Sequence, residues 1–376
     1  GHLHVSYYDV SSLDLRYATN RTGAWVAQVL DSAGDVGRYS SLDVDSGGYV
    51  HIGYYDATNG DLRYVTDALG GWTQLPVVTD GDVGSGSSLE VDPSDRVHIS
   101  YMDATLGAVK YASNASGVWS VTTVDHVGTN GLTSLALDNA GRAHISYHDS
   151  SDGSLCYITN APWRLEMVDD YGISGYYSSM ALDGQGNAHI AYLYISEDLS
   201  ERNLRYATNA GGDWDITVVD RAGKVGWRPS LALDADGRAH ISYYDHDNTA
   251  LKYATNAGGS WTNRTVDESG DSGWYSSIAV DANGKVHIGY YDGSGLRYAE
   301  NTLGTWTIGT LQAQSGQYCS IALDGEEKVH LSYRDFEGKL GYATNALGYW
   351  LFQQIDPSSY GSVQETSLAL DPLGWV

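Results

Sequence analysis

Basic residues are scarce in this chain. Its 376 residues include 21 lysines and arginines against 47 aspartates and glutamates, a net charge of −26. That argues against nucleic acid as a partner, because phosphate binding needs a basic surface. The charge suits instead a tyrosine-rich protein that must stay soluble, or one that attracts cations. There are only two cysteines, Cys156 and Cys319; they fall in repeat units that the pattern below puts far apart, so no disulfide is expected and no cysteine-rich metal motif exists. No apolar run approaches the ~18 residues of a membrane span, and no basic-then-apolar leader is present. The chain reads as soluble, without membrane insertion, any signal peptide having been removed. A nucleophile elbow, a P-loop and a dinucleotide fingerprint are likewise missing.

What is there is a repeat. Residues 230–267, SLALDADGRAHISYYDHDNTALKYATNAGGSWTNRTVD, contain four short runs of β-branched and aromatic residues parted by turn residues, and the unit returns eight times. Anchored on the histidine of the second run, the copies sit at His4, His51, His98, His144, His189, His240, His287 and His330, 43 to 51 residues apart. A period in the forties with four strands per unit predicts propeller blades. The expected fold is all-β, a single eight-bladed propeller over residues 1–376. Its last blade would be split between residues 367–376 and 1–31, the C-terminus supplying the first strand, so that no sheet edge is left open at the join.

Internal repeats allow copies of one position to be compared. Serine opens the first strand each time (Ser41, Ser230 and Ser367 among the eight) and aspartate closes it (Asp45, Asp234, Asp371). The histidine, the tyrosine three residues on, the third-strand tyrosine and the fourth-strand tryptophan also recur. Such rows predict scaffold: a hydrogen-bond network joining each histidine to the first-strand serine or to backbone, and Trp and Tyr filling the space between blades. Asp234-Ala-Asp236-Gly237 comes nearest to a calcium loop; Ca2+ is possible there, but a tight hairpin with glycine at positive φ is the plainer reading, and no metal or other cofactor is expected. Aspartates after the second strand (Asp9, Asp56, Asp103, Asp245, Asp292) match bases on the third (Arg16, Arg63, Lys110, Lys252, Arg297), which reads as ion pairs within a hairpin.

Function has to be sought where the repeats disagree. Variation concentrates on one face, in the loops after the second and fourth strands. There lie the candidate ligand-binding residues Tyr39, Tyr176, Tyr177, Trp227, Arg228, Trp274 and Tyr275. Trp227 and Trp274 are two of the three tryptophans outside the blade row, and such rings suit stacking on sugar C–H faces or peptide side chains. Blade five exchanges its aspartate for Tyr194 and inserts a longer loop. Blades four to six therefore hold the sector in which His148, Tyr171, Tyr176, Tyr177, Arg202, Trp227, Arg228 and His246 could converge. Were the chain a lyase, His148, Tyr177 and Arg228 would be the catalytic candidates: a base, and a cation for the charge developing beside a sugar carboxylate.

Across the whole chain, units such as LDADGRAHISYYD and VDANGKVHIGYYD followed by LRYA resemble the BNR-like propeller repeats of secreted and cell-surface microbial proteins. The resemblance implies the propeller fold; among related propellers are sialidases, polysaccharide lyases and lectins. A sialidase is disfavoured because the Asp-box pattern S-x-D-x-G-x-x-W is absent. The expectation is a monomeric extracellular or cell-surface module binding a glycan or a protein. The alternatives are a polysaccharide lyase or glycoside hydrolase on blades four to six, and a structural repeat domain of a larger surface protein.

Overall fold

A computed structural model describes residues 2–128, 132–160, 162–302, 304–356 and 363–371. It is an eight-bladed β-propeller, with eight antiparallel sheets of four strands each. Blade six is representative: Val225–Leu233, Ala239–Asp245, Ala250–Thr255 and Thr262–Asp267. Blade one takes its first strand from the other end of the chain, Val363–Leu370 pairing antiparallel with Leu3–Asp9 through Leu3↔Leu370 and His4↔Ala369. Residues 372–376, predicted to follow that strand, lie outside the described residues. Among the described residues no helix is long and apolar enough to cross a membrane.

Two compact units make up the chain: Gly1–Ile145 with Ile158–Leu165 and Asp324–Val376, and Ser146–Tyr157 with Glu166–Leu323. Each is held by the same devices. Second strands such as Ala239–Asp245 are buried along their full length, because a neighbouring sheet covers either face, while fourth strands such as Thr262–Asp267 are exposed except at their last two residues. Third-strand tyrosines receive the tryptophan of the next blade edge-on, as in Tyr17–Trp72 at 4.8 Å and Tyr206–Trp261 at 4.8 Å. Buried pairs of this kind add roughly 1 kcal/mol beyond their area.

The histidine network differs from the expected one. Its partners are the first-strand aspartate and the third-strand tyrosine, not the serine: Tyr64 donates to Nδ1 of His51, while Nε2 of His51 donates to Asp45 at 3.1 Å, and His330 repeats this with Tyr342 at 2.6 Å and Asp324 at 3.1 Å. The reason is reach. The aspartate caps the hairpin with one oxygen, accepting the amides of the residues two and four further on, and its second oxygen faces the histidine six residues away. The serines instead tie blade to blade, Ser41 accepting Leu89 N–H at 2.9 Å and Ser179 accepting Leu231 N–H at 3.1 Å. In the calcium-like loop, Asp234 accepts the amides of Asp236 and Arg238, and Arg238 reaches both carboxylates. This is the hairpin reading, with Gly237 at φ 75°.

The predicted hairpin ion pairs form, and they extend further. Arg16 lies 3.6 Å from Asp9 and also meets Asp356 at the end of blade eight, and Arg63 lies 3.4 Å from Asp56 and 3.7 Å from Asp31 of blade one. The same fourth-strand carboxylates accept the hydroxyl of the first tyrosine in the second strand: Tyr54 donates to Asp31 and Tyr243 to Asp220, both at 2.7 Å. Each such bond to a charged acceptor contributes roughly 1.5–3 kcal/mol to the docking of adjacent blades.

Candidate functional site

The variable segments that open blades five to eight are not loops, as their sequence suggested. They are the bulged beginnings of first strands. In blade six the register with the second strand slips between Val225 and Trp227 and again between Trp227 and Ser230. Gly226, at φ 90°, starts the bulge: a Cβ there would stand 2.8 Å from Leu204 Cα, so only glycine fits. The residue two further on is then thrown into the left-handed region. Tyr39 (φ 53°), Arg228 (φ 47°), Tyr275 (φ 54°) and Tyr318 (φ 55°) all occupy that place, which blade three gives to Gly86.

The outcome in the second unit is an unbroken arc of aromatic rings. It runs His148, Tyr176, Tyr177, Trp227, His246, Tyr244, Trp274, Tyr275, Tyr318, successive centroids lying between 4.5 and 6.3 Å apart. Tyr176 is half exposed, and Tyr177, Trp227, Trp274 and Tyr275 are partly so. Arg228 stands within the arc, its guanidinium carbon 5.1 Å from the Tyr177 ring centroid, 5.2 Å from Tyr275 and 5.8 Å from Trp274.

At one end of the arc is a cleft of about 580 Å³ lined by His148, Ser150, Asp152, Gly153, Ile173, Tyr176, Tyr177, Ile195 and Trp227. His148 is buried, and its Nδ1 lies 2.7 Å from the carbonyl oxygen of Ser174. A carbonyl can only accept, so Nδ1 carries a proton, and in the neutral form of the ring the lone pair lies on Nε2. That is the tautomer of a base.

Six of the seven predicted ligand-binding residues, all but Tyr39, therefore come together. Tyr39 belongs to the other unit, where its ring faces Tyr55 at 6.4 Å. His148 and Tyr177 share the cleft, and Arg228 adjoins Tyr177. Tyr171 and Arg202 do not line it: Tyr171 is largely exposed, and Arg202 turns back onto the carbonyl of Leu199. Tyr194 stacks instead under Arg205, 3.4 Å from ring centroid to guanidinium carbon, taking the place of the lost aspartate. Tyr244 and Tyr318 were not picked out. Their signal was positional, since Tyr244 is the counterpart of His148 and Tyr318 of Tyr275 in the repeat.

No family model matches the sequence, and no curated protein matches it. Solved structures do. A polysaccharide lyase, an ulvan lyase bound to a saccharide of GlcA and sulfated Rha, is 12% identical with a TM-score of 0.51, covering 79% of this chain and 89% of that one. A puromycin hydrolase is 11% identical with a TM-score of 0.53, covering 85% of this chain and 54% of the other. The lectin of Aleuria aurantia, in complex with Fucα1-6GlcNAc, is 12% identical with a TM-score of 0.46, over 77% of this chain and 97% of the lectin. At such identities the likeness concerns the fold, and what it establishes is that this chain is built as a β-propeller.

Proposed function

We propose that the protein is an extracellular recognition module that binds a glycan on the face bearing Tyr176, Tyr177, Trp227, Arg228, Trp274 and Tyr275. The observation that carries this reading is the continuity of the arc. Rings that merely capped separate blades would have no reason to touch from one blade to the next, whereas an extended saccharide needs a continuous apolar wall for its C–H faces. The strained backbone supports it too. Non-glycine residues at positive φ cost of order 1 kcal/mol each and persist where a side chain is needed there. A polysaccharide lyase stands among proteins of similar fold, which agrees with a glycan ligand.

A glycan array with the purified protein, followed by titration of the best ligand, tests the reading. Trp227→Ala and Trp274→Ala should each weaken binding about tenfold or more, the loss of one stacking platform of 1–3 kcal/mol, with thermal stability nearly unchanged. Full affinity in both variants sinks it.

The orientation of His148 favours a second reading, a lyase of acidic polysaccharides. Nε2 of His148 would take the proton beside the sugar carboxylate, Arg228 would hold the developing charge and Tyr177 would return a proton to the leaving oxygen. Ultraviolet-absorbing unsaturated product, abolished in His148→Ala, would establish it; glycan binding without turnover leaves recognition alone.

A further inference from the structure

We propose that Arg228 reads an anionic group, so that the saccharide taken by the arc is an acidic one with a carboxylate or a sulfate ester lying on this guanidinium. The inference rests on the glycan reading above and names the class of glycan.

Three observations carry it. First, Arg228 has aromatic neighbours and, among the described residues, no carboxylate. Arg16, Arg63, Arg205 and Arg297 each meet an aspartate within 4 Å, whereas Arg228 is surrounded by Tyr177, Trp274 and Tyr275. Ring faces attract the cation but take none of its in-plane N–H donors, so the planar fork stays available to a two-oxygen acceptor. Second, its Nε is shielded from water with no acceptor among the described residues. An unsatisfied buried donor is costly and calls for an explanation. Third, Arg228 sits at φ 47° where the equivalent Gly86 sits at φ 60° without steric penalty. Two separate costs at one residue indicate that this side chain is wanted at this point.

The overall charge sharpens the argument. A chain of net charge −26 gains nothing from long-range steering of an anion. Selection of an acidic saccharide must come from a short-range contact, and a guanidinium set among rings, with no carboxylate beside it among the described residues, is suited to that.

The test is titration with polygalacturonate and with carrageenan, each beside its neutral form, carboxyl-reduced or desulfated. The wild type should bind an acidic polymer about tenfold more tightly than its neutral form, the value of one charge-assisted contact. Arg228→Gly and Arg228→Gln should bring the acidic polymer down to the neutral level, while Trp274→Ala weakens both forms alike. Glycine relieves the left-handed strain, so that variant is expected to fold; glutamine decides the matter if it does not. Loss of the preference on reduction assigns a carboxylate, and on desulfation a sulfate. Equal binding of charged and neutral forms by the wild type, or a preference that survives Arg228→Gln, overturns the inference and leaves the glycan reading standing. Failure to bind either pair, with neutral glycans bound on the array, also overturns it alone; failure to bind any glycan overturns both.

Discussion

The hydroxyl of Tyr101 is buried and has no partner among the described residues. Its counterparts Tyr54, Tyr192, Tyr243 and Tyr290 all donate to the aspartate that ends the preceding blade. At that place blade two carries Val78, paired with Leu62 as Asp220 is with Leu204. One substitution should therefore complete a latch that evolution left open. Val78→Asp offers Tyr101 an acceptor and gives Lys110, already 2.6 Å from Asp103, the second carboxylate that Lys252 finds in Asp220. We expect a gain of about 1 kcal/mol, the net worth of a hydrogen bond made to a donor otherwise stranded, read as a higher melting temperature at pH 7. A fall would mean that burying the new carboxylate outweighs the bonds it makes.

At the scale of the strand, the repeat pattern made most of the blade legible and hid its opening. Period, strand order and the Trp and Tyr rows follow from residues that recur, because packing between like blades demands like side chains. The bulge was hidden because its cause is a pair of backbone conformations: a glycine four residues before the serine position (Gly226, Gly273, Gly316), then a bulky residue at positive φ, which no propensity predicts. The arc was hidden for another reason. Ring contacts such as Tyr244–Trp274 join residues from two blades, and inter-blade register is not written in either blade alone. The serine row was misjudged likewise, its bonds running to a neighbour. First strands hold one further departure. Six repeats place alanine before the penultimate position, from Ala136 to Ala369, but blades two and three have Asp43 and Glu90. Burial and the charge of Asp43 push the Glu90 carboxyl up to about 8. A carboxyl whose folded pKa exceeds its unfolded one contributes stability below about pH 4.5 that is lost as pH rises through 8. Glu90→Ala should thus raise the melting temperature at pH 8.5 by roughly a few degrees and change it little at pH 5. An equal effect at both pH values would remove titration as the cause.

For the whole molecule seven members of the histidine row set the response to acid. Burial, the leading cause, lowers His4 to about 4, and it also lowers His98, His144, His189, His240, His287 and His330, against the pull of their aspartates. Six of them, His4, His98, His189, His240, His287 and His330, are held neutral between a tyrosine hydroxyl and a carboxylate, and His144 lies 3.6 Å from Asp138. The unfolded chain binds protons near pH 6.5 and the native one only at lower pH, so the stability these groups contribute is full above about 6.5 and is lost as pH falls toward the native values. For His4 alone the loss at pH 5 is about 2 kcal/mol. The first-strand carboxylates act next. Burial would raise Asp92, but bonds from Arg96, Ser94 and His98 outweigh it and hold the group at about 2, so its share is lost only below about pH 4. Glu90 works in the opposite sense, as one group against seven. Net negative charge also works in the opposite sense, since acid relieves self-repulsion, but carboxylates at ordinary values take up few protons above pH 5. Melting temperature should therefore fall steeply between pH 7 and pH 5, before most carboxylates titrate. A constant or rising melting temperature across that window would show that the histidines are not held neutral by the fold. A fall confined to below pH 4 would assign acid sensitivity to the carboxylates alone.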